Sequence, residues 1–178
     1  MLGHSTVAES SPLFPAIETP SWFEDLSHDT LREVTLVSPF LSWLLTTPEL
    51  TTPALVQRWG GGECVTQRVV ERLADGRMVR RARQVIDGVV REISAIVLPV
   101  EREEWAMVEA PIGPWLAGQG FTLSKQEIRP LLFRSRPELE EIFLERSASW
   151  GRSYEMRVQS VGEAPVVLAV IECWPSSV

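Results

Sequence analysis

Apolar positions along this chain repeat with two different periods. Near the start the spacing is helical. Asp29-Thr30 is placed to cap a short helix beginning near Leu31, and Pro39 interrupts it. Phe40, Leu41, Trp43, Leu44 and Leu45 then form a strongly apolar helical segment. A further helix starts at Thr52-Pro53, with Thr52 as its N-cap and Pro53 at its first position. Ala54, Leu55, Val56 and Trp59 supply its apolar face, and Gly60-Gly61-Gly62 ends it. The period then falls to two. Glu63–Leu73, Arg77–Ile86 and Val89–Leu98 read as strands joined at Asp75-Gly76 and Asp87-Gly88, both hairpin turn signals. The middle strand is very basic and predicts one wet face. A short acidic helix is expected over residues 100–108, and another starts at Ala110–Leu116 and is ended by Gly118 and Gly120. Leu123–Phe133 has no decisive period, and Glu138–Arg146 fits helix and strand alike.

The chain closes on a second hairpin. An alternating segment opens at Trp150-Gly151-Arg152-Ser153, turns at Gly162-Glu163-Ala164-Pro165 and returns as Val166–Pro175. The returning strand is almost wholly apolar, which predicts burial on both faces. It carries one carboxylate, Glu172. A lone buried Glu needs a cation, a hydrogen-bond donor or a proton of its own. Helices, meander, helices and strands in that order predict an α+β domain built on a single antiparallel sheet. Residues 1–20 read as a flexible arm and 21–178 as one domain; no internal repeat is visible.

Composition narrows the chemistry. A chain of 178 residues, 44% hydrophobic and 23% charged, suits one domain with a sizeable core. The net charge of -7 argues against nucleic acid as a partner. The four arginines between Arg77 and Arg83 are surrounded by acidic residues. No window approaches the roughly 18 apolar residues of a membrane span, and no secretory signal pattern opens the sequence. These features, with two widely separated cysteines, Cys64 and Cys173, predict a cytoplasmic protein with buried thiols. The two histidines, His4 and His28, have no Cys or His at ligand spacing, so no metal site is expected. Triad chemistry and a phosphate-binding loop are equally unsupported.

Several weak motifs in order carry a resemblance. They are Trp43-Leu44-Leu45 with Glu49-Leu50-Thr51, Gly62-Glu63-Cys64-Val65 with Val69-Val70-Glu71, Asp87-Gly88 with a strand ending at Pro99, Pro111-Ile112-Gly113, and Trp150-Gly151-Arg152 with the strand bearing Glu172. From about residue 38 to 176 the chain resembles a divergent member of the chorismate pyruvate-lyase family, which releases pyruvate from chorismate and leaves 4-hydroxybenzoate. The resemblance implies an antiparallel sheet of about six strands with helical flaps over an internal ligand cavity, and no cofactor. It implies Glu172 as the acid and Leu50, Ile112 and Gly113 as flap residues against the ligand. The family's third-strand arginine falls on Ala95 when the spacing from Asp87-Gly88 to Pro99 is held without gaps. Arg91 lies four residues earlier, about 13 Å along a strand. Glu172 stands three residues before Pro175 where the family has four, and a slip of one residue would turn it to the other face.

Eliminating pyruvate from chorismate needs a proton for the departing enolpyruvyl ether and a group to accept the ring proton. A buried carboxyl with a raised pKa suits that work, and a guanidinium suits the ring carboxylate. Glu172 and Arg91 are therefore the candidate catalytic residues. Leu50, Arg68, Ala95, Ile112 and Gly113 are the candidate substrate contacts, with Arg83 a weaker alternative cation. Trp43, Trp59, Trp105, Trp115 and Trp174 suit either a core or an aromatic cavity wall. Three functions stay open. One is an enzyme of this type, a lyase or cyclase, with a changed small-molecule substrate. Another is a true chorismate lyase. The third is a non-catalytic small-molecule binding protein, since the family fold is also similar to effector-binding domains of bacterial regulators. Residues 1–37 are too few for the winged helix such regulators carry. A monomer or small homo-oligomer is expected.

Overall fold

Ser38 is where the helical part of the chain turns. It ends α1 (His28–Val37), and its side chain accepts from Leu41 N at the start of α2 (Pro39–Thr46). Pro39 forces the break, because a residue before proline leaves the helical region. The cap of α1 is Ser27, which accepts from Thr30 N at 3.1 Å, rather than Asp29 or Thr30. Leu41, Leu44 and Leu45 recur at helical spacing and are buried. After α3 (Thr52–Arg58) come β2 (Cys64–Arg72), β3 (Met78–Ile86) and β4 (Val89–Leu98), an antiparallel meander. A three-residue strand, β1 (Phe23–Asp25), precedes α1. The computed structural model describes residues 13–178; the first part of the expected arm and His4 lie outside the described residues.

The second half runs α4 (Glu103–Ala106), α5 (Ile112–Gly118), β5 (Thr122–Phe133), α6 (Pro137–Phe143), β6 (Ser149–Gln159) and β7 (Val166–Trp174). Leu123–Phe133, without a decisive period, is a long strand. It is bulged between Gln126 and Arg129, where Glu127 takes a φ of 52°, and the bulge breaks the alternation. The ambiguous Glu138–Arg146 stretch is helical at its start, because Leu139, Ile142 and Phe143 make one buried face. The seven strands form one antiparallel sheet in the order β1-β5-β6-β7-β4-β3-β2, an α+β architecture.

Both faces of this sheet are covered. On one face, α6 and Ile17 pack on Val79, Ile93, Ala95, Leu131, Phe133, Ile171 and Cys173. Glu18 accepts from Arg81 Nε at 3.0 Å, so the chain is packed against β3 before residue 20. On the other face lie two separate apolar clusters. One joins α4 and α5 to Ile96, Leu98, Met156, Val158, Leu168 and Val170. The other joins α1, α2 and α3 to Ile86 and Trp174. Double coverage explains the apolar run of β7. It also removes the wet face expected of β3: Arg80 and Arg81 are both buried, on opposite faces.

Among the described residues no helix is long and apolar enough to cross a membrane. Nor does any group of three His, Cys, Asp or Glu among them come together to hold a metal. Both cysteines are free, Cys64 half-buried and Cys173 buried.

Candidate functional site

Between the two apolar clusters the sheet face turns polar. Arg80 and Gln84 of β3, Glu92 and Ser94 of β4, Tyr154 of β6, Glu172 of β7 and Lys125 of β5 converge there. Leu50-Thr51-Thr52, between α2 and α3, and Pro111-Ile112-Gly113-Pro114, at the start of α5, roof this chamber as two flaps. Leu50 rests on Gly113: a Cβ built at Gly113 would stand 2.7 Å from Leu50 Cδ2. The cavity left beneath is about 30 Å³, the room of about two waters.

Glu172 sits directly across from Arg152 on β6 and Ser94 on β4. Its Oε2 accepts from Arg152 Nε and its Oε1 from the Tyr154 hydroxyl, each at 2.7 Å. Burial pushes the Glu172 pKa up. The Arg152 and Lys125 charges and the two hydrogen bonds outweigh it and hold the carboxyl below its ordinary value. The direction of that shift keeps Glu172 ionised at neutral pH. The carboxyl with the raised pKa is that of Glu92. It is buried, and its Oε2 accepts from Trp174 Nε1 at 2.9 Å. Burial, then the neighbouring Glu172 charge, push its pKa up to about 8.

The cations of the site hold the flaps. Arg152 Nη1 donates to Thr47 O and Lys125 Nζ to Glu49 O, each at 2.7 Å. Arg80 Nη2 donates to Val108 O (3.2 Å) and Ala110 O (2.9 Å), on the approach to the second flap. Burial, with the Arg68 charge adding to it, pushes the Arg80 pKa down to about 10. Burial likewise pushes Lys125 down to about 8. Arg80 is 1% exposed, its Nε has no hydrogen-bond partner, and no carboxylate pairs with it among the described residues.

The structure gathers Glu172, Leu50, Ile112 and Gly113 around one chamber and sends the other candidates elsewhere. Arg68 stands behind the second flap, where its Nε donates to Val108 O at 3.2 Å. Ala95 faces α6, on the opposite side of the sheet. Arg83 bonds Gln67 on neighbouring β2. Arg91 lies 3.6 Å over the Trp59 ring. The reason is a bulge: Gln84 pairs with Glu92 but Val85 pairs with Val90, so Arg91 is the extra residue. Glu92 stands just before the bulge, opposite Gln84, and faces the chamber in regular alternation with Ser94 and Ile96. No tryptophan lines the chamber; Trp105 and Trp174 are core. The residues that sequence reasoning passed over are Arg80, Glu92, Lys125, Arg152 and Tyr154. Arg152 and Tyr154 had a readable signal, since both sit on the partner strand of the closing hairpin and fall in phase with its buried apolar positions, Met156 and Val158.

No family model matches the chain, and no curated protein matches it in sequence. Solved structures show a slight likeness. A GntR-family transcriptional regulator from Bacillus cereus aligns with a TM-score of 0.47 at 7% identity, over 65% of this chain and 94% of the other. The ligand-binding domain of a GntR-family regulator from Bordetella bronchiseptica aligns at 0.44 and 12%, over 65% and 84%. The C-terminal domain of the histidine utilization repressor from Pseudomonas syringae aligns at 0.42 and 11%, over 65% and 93%. Likeness at this level is too slight to say what this chain binds.

Proposed function

We propose that this chain is a small-molecule-binding domain whose chamber takes one anionic group, a carboxylate or a group of similar size. One observation carries the reading: the Arg80 guanidinium is buried in the chamber wall without a counter-ion among the described residues. An unpaired buried charge is costly, and fixed donors kept without water suit an incoming anion. The charge balance agrees. Glu172 is neutralised by Arg152 and Glu92 is protonated, so Arg80 and Lys125 leave the chamber positive. Arg80 presents a guanidinium suited to bidentate contact, and Ser94 adds a hydroxyl.

Calorimetric titration with short carboxylates tests this. Binding should weaken at least tenfold in Arg80→Met, and affinities unaffected by that change would refute the reading.

A second reading, chorismate lyase chemistry, is favoured by a neutral Glu92 beside an ionised Glu172 in one enclosed site, two carboxyls set for different proton work. The small chamber counts against seating a whole ring without flap movement. Purified protein incubated with chorismate should then release 4-hydroxybenzoate and lose that turnover in Glu92→Gln. No product at high protein concentration eliminates it. A binding domain keeps its ligand in Glu92→Gln without any turnover.

A further inference from the structure

A second cavity lies against the first. It is open to solvent, about 460 Å³ in volume, and walled by Pro48, Ala117, Phe121 and Leu123, with Glu49 at one side. Leu50, Lys125 and Met156 line both cavities. These three side chains are the partition between a charged inner chamber and an apolar outer groove.

The two volumes differ in what they can hold. About 30 Å³ is two waters, which is the size of a carboxylate and not of a ring. The outer groove falls within the range of roughly 300–1,000 Å³ typical of small-molecule sites. The charges divide the same way. The unpaired Arg80 belongs to the inner chamber alone, and the walls particular to the outer groove are mostly apolar. Leu50 is also the movable part of the partition, since its contact across the roof is made through the end of a flexible side chain against a glycine.

We propose that the two cavities form one site for an amphipathic ligand. Its anionic head passes Leu50 to reach Arg80, and its apolar tail stays in the groove between Leu123, Phe121 and Ala117. Lys125, at the neck, meets the ligand where head joins tail. The proposal rests on the anion-binding reading and adds the tail to it.

Titrating the full chain with butyrate, hexanoate and octanoate tests both parts. Partial burial of each added methylene is worth about a twofold gain, so octanoate should bind at least tenfold tighter than butyrate. Ala117→Trp, at an exposed position that tolerates a large side chain, fills the groove. It should abolish the chain-length gain, so that octanoate binds that variant no more tightly than butyrate does. Arg80→Met should weaken both acids, and neutral octanol should not bind. Equal affinities for butyrate and octanoate, or a chain-length gain that survives Ala117→Trp, overturn the two-cavity site while leaving the anion reading standing. Octanol binding as tightly as octanoate, or no binding of any of the acids, overturns both.

Discussion

Replacing Glu172 by Gln keeps its shape and its bond to Tyr154 but strands the Arg152 guanidinium. Arg152 is 0% exposed, and its only other hydrogen bond among the described residues is to Thr47 O. Its Nη2 is already without a partner. Water cannot compensate the lost carboxylate, so the cost is that of breaking a buried pair, about 3–5 kcal/mol. Domains of this kind have only about 5–15 kcal/mol of stability, so the loss is a large fraction of the total. Arg152→Met combined with Glu172→Gln removes the uncompensated charge and should recover at least half of it. Urea unfolding at pH 7, with an unchanged dependence on denaturant, measures these two variants and Arg152→Met alone. The pH dependence provides a second reading. Because the folded-state pKa of Glu172 is lowered, its contribution is present above the unfolded value near 4.5 and disappears as pH falls through the folded value. Glu172→Gln should lack that acid-side component. A cost below about 1 kcal/mol, or single-variant costs that simply add, would show that the ion pair does not behave as a buried unit.

Glu92 has the opposite sign. Its folded pKa is raised from 4.5 to about 8, so stability is full below about 4.5 and declines as pH rises toward 8. Glu92→Gln should flatten that decline and be more stable than the wild type at pH 7.5, by up to about 4 kcal/mol; a variant less stable at that pH, in the same urea titration, would contradict it. Gly151→Ala should cost about 3 kcal/mol or prevent folding, because its Cβ would fall 2.2 Å from Glu172 O and 2.5 Å from the Phe133 ring. Circular dichroism on heating reads this directly. Gly113→Ala should cost under about 1 kcal/mol in the same assay, since only the end of Leu50 must move. Equal losses at the two glycines would mean that the flap is as rigid as the sheet.

The elements with a strong period were legible in the sequence. The meander lies where Asp75-Gly76 and Asp87-Gly88 place its turns, and the closing hairpin follows its alternation. What escaped was set by contacts between distant segments. Arg80 and Arg81 are adjacent in a basic stretch. Nothing local says that one is met by Glu18 and Glu71 and the other by the carbonyls of residues 108 and 110. Alternation held from Glu92 to Leu98 and failed only at the bulge. Counting by twos puts Arg91 on the face of Ala95, yet Arg91, the extra residue, lies over Trp59, while Glu92 lines the chamber in step with Ser94. Glu172 was conspicuous because β7 is otherwise apolar. Its protonation state depended on Arg152, across the hairpin, and on Lys125, one strand further away.

The same contacts show why the polar centre is compatible with a stable sheet. Five ionisable side chains around one chamber would be prohibitive if each stood alone. Here Glu172 and Arg152 cancel, Glu92 avoids charge by keeping its proton, and Lys125 is held between a carbonyl and the Tyr154 ring. Arg80 is left with carbonyls only. Those carbonyls belong to the segment that leads into the second flap, as Thr47 O and Glu49 O belong to the first. An anion at Arg80 therefore compensates a charge that no carboxylate among the described residues balances, while leaving the bonds to residues 108 and 110 in place. Ligand binding and flap closure then reinforce each other. If they do, a short carboxylate should slow hydrogen exchange in residues 107–114 as well as in the sheet, whereas a ligand held outside the flaps would leave those amides unchanged.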